Sequence, residues 1–148
     1  MEVRPGTEAD SRDVWDWRND PDTRRQSGNT GFIEWEDHAQ WFSQMLNSRE
    51  AVVLIGVKKE NQGKIGVTRF DLDLNAGQAQ VSINLNPLYR GQGRSTEFLL
   101  SSVNCFLLDH DFRLVARVKL DNLASSKIFT NAGFELATKN RMYIHYRL

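Results

Sequence analysis

One cysteine, three prolines and no excess of charge of either sign set the first limits on this sequence. A single thiol cannot form an intrachain disulfide or a multi-cysteine zinc site, so no disulfide framework and no metal centre are expected. Cys105 lies in the apolar run 98–108 without a basic neighbour, which reads as a buried, inert thiol rather than a nucleophile. Lys plus Arg and Asp plus Glu both number 19. No net field therefore draws the chain onto nucleic acid or an anionic membrane, and only a local basic patch is left open. No stretch approaches the ~20 apolar residues that span a bilayer, and the first ten residues lack the apolar core of a signal peptide. A cytoplasmic protein without a membrane or nucleic-acid partner is the expectation.

What is present suits one compact domain over residues 1–148, with 40% hydrophobic content to fill its core. A strand over 1–4 ends at Pro5, and Thr7 can cap a helix carrying Val14, Trp15 and Trp17. Asp20-Pro21 reads as its stop, and the polar, glycine-containing segment 22–31 as an exposed or ligand-covering loop. From Glu34, the residues Trp35, Ala39, Phe42, Met45 and Leu46 follow a helical period. The period then changes. Runs 51–57, 64–72 and 78–85, separated by turns at Glu60-Asn61-Gln62-Gly63 and Asn75-Ala76-Gly77, predict an antiparallel meander closed by Pro87. A long helix to about Asp109 follows, with Leu99, Val103, Phe106 and Leu107 on one face. A strand over 113–119, a helix over 122–132 and strands near 134–138 and 141–146 complete the order. No repeat interrupts it, and a mixed sheet of about seven strands with about four helices on both faces results.

The stretch Asn86-Pro87-Leu88-Tyr89-Arg90-Gly91-Gln92-Gly93-Arg94-Ser95 joins a strand to a helix. Gly91 and Gly93 permit a tight turn and close approach, and a helix N-terminus offers N–H groups to a phosphate. Arg90 and Arg94 would add charge suited to a diphosphate. A Walker loop is excluded because Arg94 follows Gly93 where lysine is required. A dinucleotide fingerprint fails at Thr96, which stands where the third glycine belongs. A glycine-rich turn without a ligand is the alternative on these letters alone.

Together with Asp121-Asn122-Leu123-Ala124-Ser125-Ser126-Lys127-Ile128-Phe129-Thr130-Asn131-Ala132-Gly133-Phe134, this stretch resembles the GNAT superfamily of acetyl-CoA N-acetyltransferases. Arg90, Gly93 and Ser95 match the family's Arg/Gln-x-x-Gly-x-Gly/Ala loop, Ser95 being a departure. Asn122, Ser125, Phe129, Gly133 and Phe134 match the second unit. The resemblance implies a GNAT-like, mostly antiparallel seven-stranded sheet and acetyl-CoA as co-substrate, held by 85–86, 90–95, Asn122, Ser125 and Phe129. It implies direct attack of an amine on the thioester, with a backbone N–H near Leu85 holding the oxyanion. Most relatives carry a tyrosine acid where this chain has Phe129, and Ser125 is the substitute. Ser82 and Asn84 are candidates to order a water that serves as base, and His38 and His145 are considered for the same task.

The N-terminal segment Asp16-Trp17-Arg18-Asn19-Asp20, with Arg24, Arg25, Ser27 and Trp41, resembles the sugar-nucleotide N-acetyltransferases of the pseudaminic acid pathway. It is less similar to acetyltransferases of ribosomal-protein N-termini and of polyamines. Arg18, Arg24 and Arg25 are then expected on a nucleotide diphosphate, and Trp17 or Trp41 against a base or sugar. Glu34, Glu36 and Asp37 keep a polyamine acceptor open, and a CoA-binding module that never turns over is the reading from another class. Oligomeric state is left as monomer or homodimer.

Overall fold

The computed structural model describes residues 1–28 and 30–148. Seven strands form one sheet: β1 (Glu2–Pro5), β2 (Ala51–Val57), β3 (Lys64–Asp73), β4 (Gln78–Leu85), β5 (Arg113–Lys119), β6 (Glu135–Lys139) and β7 (Tyr143–Arg147). Their order is β1-β2-β3-β4-β5-β7-β6, antiparallel throughout except between β4 and β5. This is the expected mixed GNAT-like sheet, and the meander has the expected bounds to within a residue.

Five α-helices are present among the described residues: α1 (Ser11–Arg18), α2 (Pro21–Gln26), α3 (Trp35–Asn47), α4 (Ser95–Asp109) and α5 (Leu123–Asn131). The extra one is α2, in the segment read as a loop; Asn29 of that segment lies outside the described residues. Asp20-Pro21 does not only stop α1 but starts α2: the Asp20 carboxylate accepts from the Thr23 N–H at 3.2 Å. Proline at the first helical position loses no bond, because that N–H has no intrahelical acceptor.

Alternation along the strands divides the apolar residues between two faces. On one, Val53, Ile55, Val57 and Val67 pack against Val14 and Trp17 of α1 and Phe42 of α3. On the other, Leu54, Phe70, Ala79 and Val81 meet Leu99, Val103 and Phe106 of α4 and Phe129 of α5. Phe98 seats α4 on two glycines: a Cβ at Gly56 would fall 2.6 Å from its ring, and one at Gly66 3.0 Å. Leu107, expected on the buried face, is exposed because it lies past the edge of the stripe formed by 98, 99, 102, 103 and 106. Cys105 is half-buried at the rim of this core rather than fully buried.

A charged knot fixes α1 to the sheet. The buried Asp10 carboxylate accepts from Arg4 at 2.8 Å, Lys64 at 2.8 Å and the Thr7 N–H at 2.9 Å. Burial pushes this carboxyl up, but the Arg4, Lys64 and Thr7 hydrogen bonds outweigh it and hold the group well below the usual carboxylate range.

Candidate active site

A gap in strand pairing creates the site. β4 and β5 are paired at only three register positions, Gln78↔Arg113 to Gln80↔Val115. Beyond them β4 stays with β3 as far as Leu85 and β5 stays with β7 as far as Lys119, so the inner edges part. The result is a cleft of about 1080 Å³, walled by Ser82, Ile83, Asn84 and Leu85 on one side and by Arg117, Val118 and Lys119 on the other. The Asn86 N–H donates to the Ile65 carbonyl of β3 at 2.8 Å. Backbone groups alternate in direction along a strand, so the N–H groups of Leu85 and Ile83 face the opposite way, into the cleft.

The turn from β4 into α4 adds a surface of backbone N–H groups suited to an anion. Gly91 and Gly93 have φ of 72° and 70°, while Gln92 between them does not share the left-handed conformation. That alternation gathers successive N–H groups on one side, as in other anion-binding concavities. α4 starts at once with no side-chain cap from Arg94, so the positive end of its dipole and its first N–H groups are left for a ligand. Gly91, Gly93, Ser95 and Thr96 line the cleft.

Asn122 caps α5, its side-chain oxygen accepting from the Ser125 N–H at 3.2 Å. Its amide nitrogen donates to the Ser125 hydroxyl oxygen at 3.0 Å. The hydroxyl, fixed as an acceptor, keeps its own proton to donate into the cleft that it lines.

α2 closes the cleft from above. On the β4 side, Arg90 pairs with Asp20 at 2.8 Å and donates to the Thr23 hydroxyl at 2.6 Å; on the β5 side, Lys119 donates to the Arg25 carbonyl at 3.1 Å. The Arg90 charge, expected on a diphosphate, is therefore directed at α2.

The model of the acetyltransferase (GNAT) domain family matches residues 1–135. The chain belongs to the GNAT acetyltransferase family. No curated protein matches it. Solved structures share the fold at low identity. The spermidine N-acetyltransferase from Vibrio cholerae, in complex with CoA and spermine, is 11% identical with a TM-score of 0.85, over 99% of this chain and 92% of that one. A ribosomal-protein-alanine N-acetyltransferase from Brucella melitensis is 17% identical with a TM-score of 0.81, over 100% and 99%. The aminoglycoside acetyltransferase AAC(6')-Ib, in complex with coenzyme A and kanamycin, is 16% identical with a TM-score of 0.81, over 97% and 92%.

In this GNAT domain the α1/α3 side of the cleft is built from cations and an indole. Arg18 and Arg69 lie over Trp41, at 4.2 and 5.3 Å from its ring, and all three line the cleft with Ser82 and Asn84. Arg69 was not anticipated. His38, weighed as a base, is fully buried: its Nδ1 accepts from Arg18 at 3.0 Å, and its Nε2 donates to the Ser11 carbonyl at 2.9 Å. Burial and then the Arg18 charge push it down to about 4, partly offset by the Ser11 hydrogen bond. With both nitrogens engaged away from the cleft, it is a support for Arg18 and not a base.

Several expected site residues are directed elsewhere. Trp17 is 5% exposed and packs in the α1/α3 core, where its spacing of three from Val14 puts it. Arg24 is not in the cleft and has its guanidinium 6.0 Å from the Phe32 ring. Asn86 donates to the Lys64 carbonyl and accepts from the Leu88 N–H, shaping the turn. Gln92 and Arg94 do not line the cleft, Gln92 donating to the Leu88 carbonyl on the surface. Phe129 lines the cleft but is chiefly packed, 3% exposed against Phe134 and Tyr146, as suits an apolar ring. His145 does not line the cleft. Neither do Glu34, Glu36 and Asp37, so among the described residues seven arginines and lysines line the cleft against one carboxylate residue, Asp22. No group of His, Cys, Asp and Glu among the described residues is arranged to hold a metal, and no helix there is long and apolar enough to cross a membrane.

Proposed function

We propose that this protein transfers the acetyl group of acetyl-CoA to a primary amine by direct attack. The observation that carries this reading is the convergence of three features in one cleft: the cleft-facing backbone of Ile83 and Leu85, the Gly91–Gly93 turn at the start of α4, and the Ser125 hydroxyl. The turn suits the diphosphate, and the unpaired edge of β4 suits the amide-bearing arm of the substrate, as an added strand would.

The amine nitrogen bonds to the thioester carbonyl carbon, and the carbonyl oxygen takes up negative charge against the Leu85 N–H. Collapse breaks the carbon–sulfur bond, and Ser125 donates its proton to the departing thiolate. Water held by Ser82 and Asn84 removes the proton that the nitrogen must lose, and Ser125 regains a proton from solvent in the open cleft. Acetylated amine and CoA are the products.

The acceptor we favour is an amino-deoxy nucleotide sugar. Among the described residues seven arginines and lysines and one aspartate line the cleft. After the Arg25, Arg69 and Arg90 ion pairs a surplus of cations is left that repels a polyamine and attracts a diphosphate, while Trp41 offers its face to a ring. Thiol release from acetyl-CoA, assayed over amino-deoxy nucleotide sugars, a polyamine and peptides with free N-termini, tests the reading. Ser125→Ala is expected to lower kcat by about 10²-fold with CoA affinity unchanged. Unchanged turnover would remove Ser125 from the mechanism, and binding of acetyl-CoA without release for any amine would favour a silent module.

A further inference from the structure

Arg18 is a cation without a counter-ion. It ends α1 inside the cleft, donates to a neutral histidine, and stands 4.2 Å from the centre of the Trp41 ring. Among the described residues no carboxylate stands within ion-pair distance of it. Its neighbour on the cleft wall is a second cation, Arg69, whose only ion pair is with Asp71 at 3.1 Å. Burial first, and then the Arg69 charge, push Arg18 down to about 10, which leaves it charged at neutral pH.

Two neighbouring guanidinium groups, of which only Arg69 has a carboxylate partner, beside the half-buried Trp41 ring make an arrangement that is costly for the protein alone, and an anionic ligand relieves it. The His38 hydrogen bond holds Arg18 in that position from behind, since Nε2 is committed to the Ser11 carbonyl. We propose that Arg18 and Arg69 form a subsite for an oxyanion, a phosphate or carboxylate, carried by the acceptor at the end remote from its amine. This assignment rests on the acetyl-transfer reading for the position of the amine.

Register gives the acceptor a length. Arg69 is opposite Ser82, three residues before Leu85, so the subsite is about 10 Å along β4 from the carbonyl position. The Arg69 side chain turns towards Asp71, away from Leu85. The diphosphate of acetyl-CoA is directed to the other end, beyond Leu85, where Gly91 and Gly93 lie. A free α-amino acid, with about 2.5 Å between nitrogen and carboxyl carbon, is too short to use both positions.

The test is calorimetric binding to the CoA-saturated protein of two matched pairs: glucosamine 6-phosphate against glucosamine, and 6-aminohexanoate against hexylamine. At least one anionic member is expected to bind about tenfold or more tightly than its neutral partner, and the pair that does so identifies phosphate or carboxylate. Arg18→Gln and, separately, Arg69→Gln should bring that ratio to within about twofold of unity with CoA affinity retained, which also shows that each variant is folded. Equal binding within both pairs, or a preference that survives both variants, overturns the proposal. Thiol release with the same compounds is read separately. Preference without release keeps the subsite and removes the transferase reading, whereas release without preference does the opposite.

Discussion

Acidification should destabilise this protein before Asp10 and Asp20 take up protons, and His38 is the reason. The ring is neutral in the fold because Nδ1 must accept from Arg18 while Nε2 donates to Ser11. Its folded value is about 4 against an ordinary 6.5. A depressed histidine means that between those two values the unfolded chain takes up a proton that the folded chain refuses. Stability is therefore complete above pH 6.5 and is lost as pH falls towards 4. At about 1.4 kcal/mol per pH unit the whole window is worth roughly 3 kcal/mol, of which roughly 2.5 is gone by pH 4.5. Burial pushes Asp10 and Asp20 up, but hydrogen bonds from Arg4 and Lys64 and from Arg90 respectively hold both below the usual range. Their contribution is lost only below about pH 4, outside the window. Urea unfolding at pH 7.5, 6.0, 5.0 and 4.5 measures the loss, and His38→Gln, which cannot titrate, is the control. The variant should show less than about half of the wild-type slope below pH 6. Parallel curves for the two proteins would refute the assignment.

Three further predictions concern glycines. Gly93→Ala adds a Cβ that meets no atom within 4 Å, so its effect comes from the backbone at φ 70° alone, about 1–2 kcal/mol, and calorimetry should show weaker CoA binding. Gly77→Ala imposes the same strain at φ 64° in a turn outside the cleft, and should lower stability while leaving CoA affinity intact. Gly56→Ala places a methyl 2.6 Å from Phe98, an overpacking worth about 1–3 kcal/mol in thermal or urea unfolding, and Phe98→Leu in the same chain should recover part of it.

The elements that sequence reading located well are those whose signal is local. A continuous β-branched run marked β2, alternation bounded by turn residues marked β3 and β4, and Asn122 marked the start of α5 because capping is decided within three residues. The cleft loop was legible through Gly91 and Gly93, which have the positive φ that the tight turn demanded. α2 was missed because aspartate before proline signals both an end and a beginning, and only the contact with Arg90, 67 residues away from Thr23, shows which side of it is ordered. Trp17 and Trp41 look alike as letters, but Trp17 shares a helical face with Val14 and is buried, whereas Trp41 turns its ring to Arg18. Arg69 left one usable trace: it follows Val67 by two, so it occupies the α1/α3 face of β3, where an unexplained charge asks for a function.

The disposition of Arg90 changes how the diphosphate must be held. Its guanidinium is occupied by Asp20 and Thr23, with Asp22 at 3.6 Å, so it supplies structure to α2 rather than net charge to a ligand. Arg94 stands outside the cleft lining, so the Gly91–Gly93 turn and the start of α4 offer chiefly N–H groups. Affinity at that end comes from oriented hydrogen bonds and a helix dipole, which depend on the left-handed glycine geometry. The formal positive charge is concentrated instead at Arg18 and Arg69 and on the β5 wall at Arg117 and Lys119. On the proposed reading, one end of the cleft recognises phosphate by backbone shape and the other an anion by charge, so that the amine would react between two negative groups held by different physics.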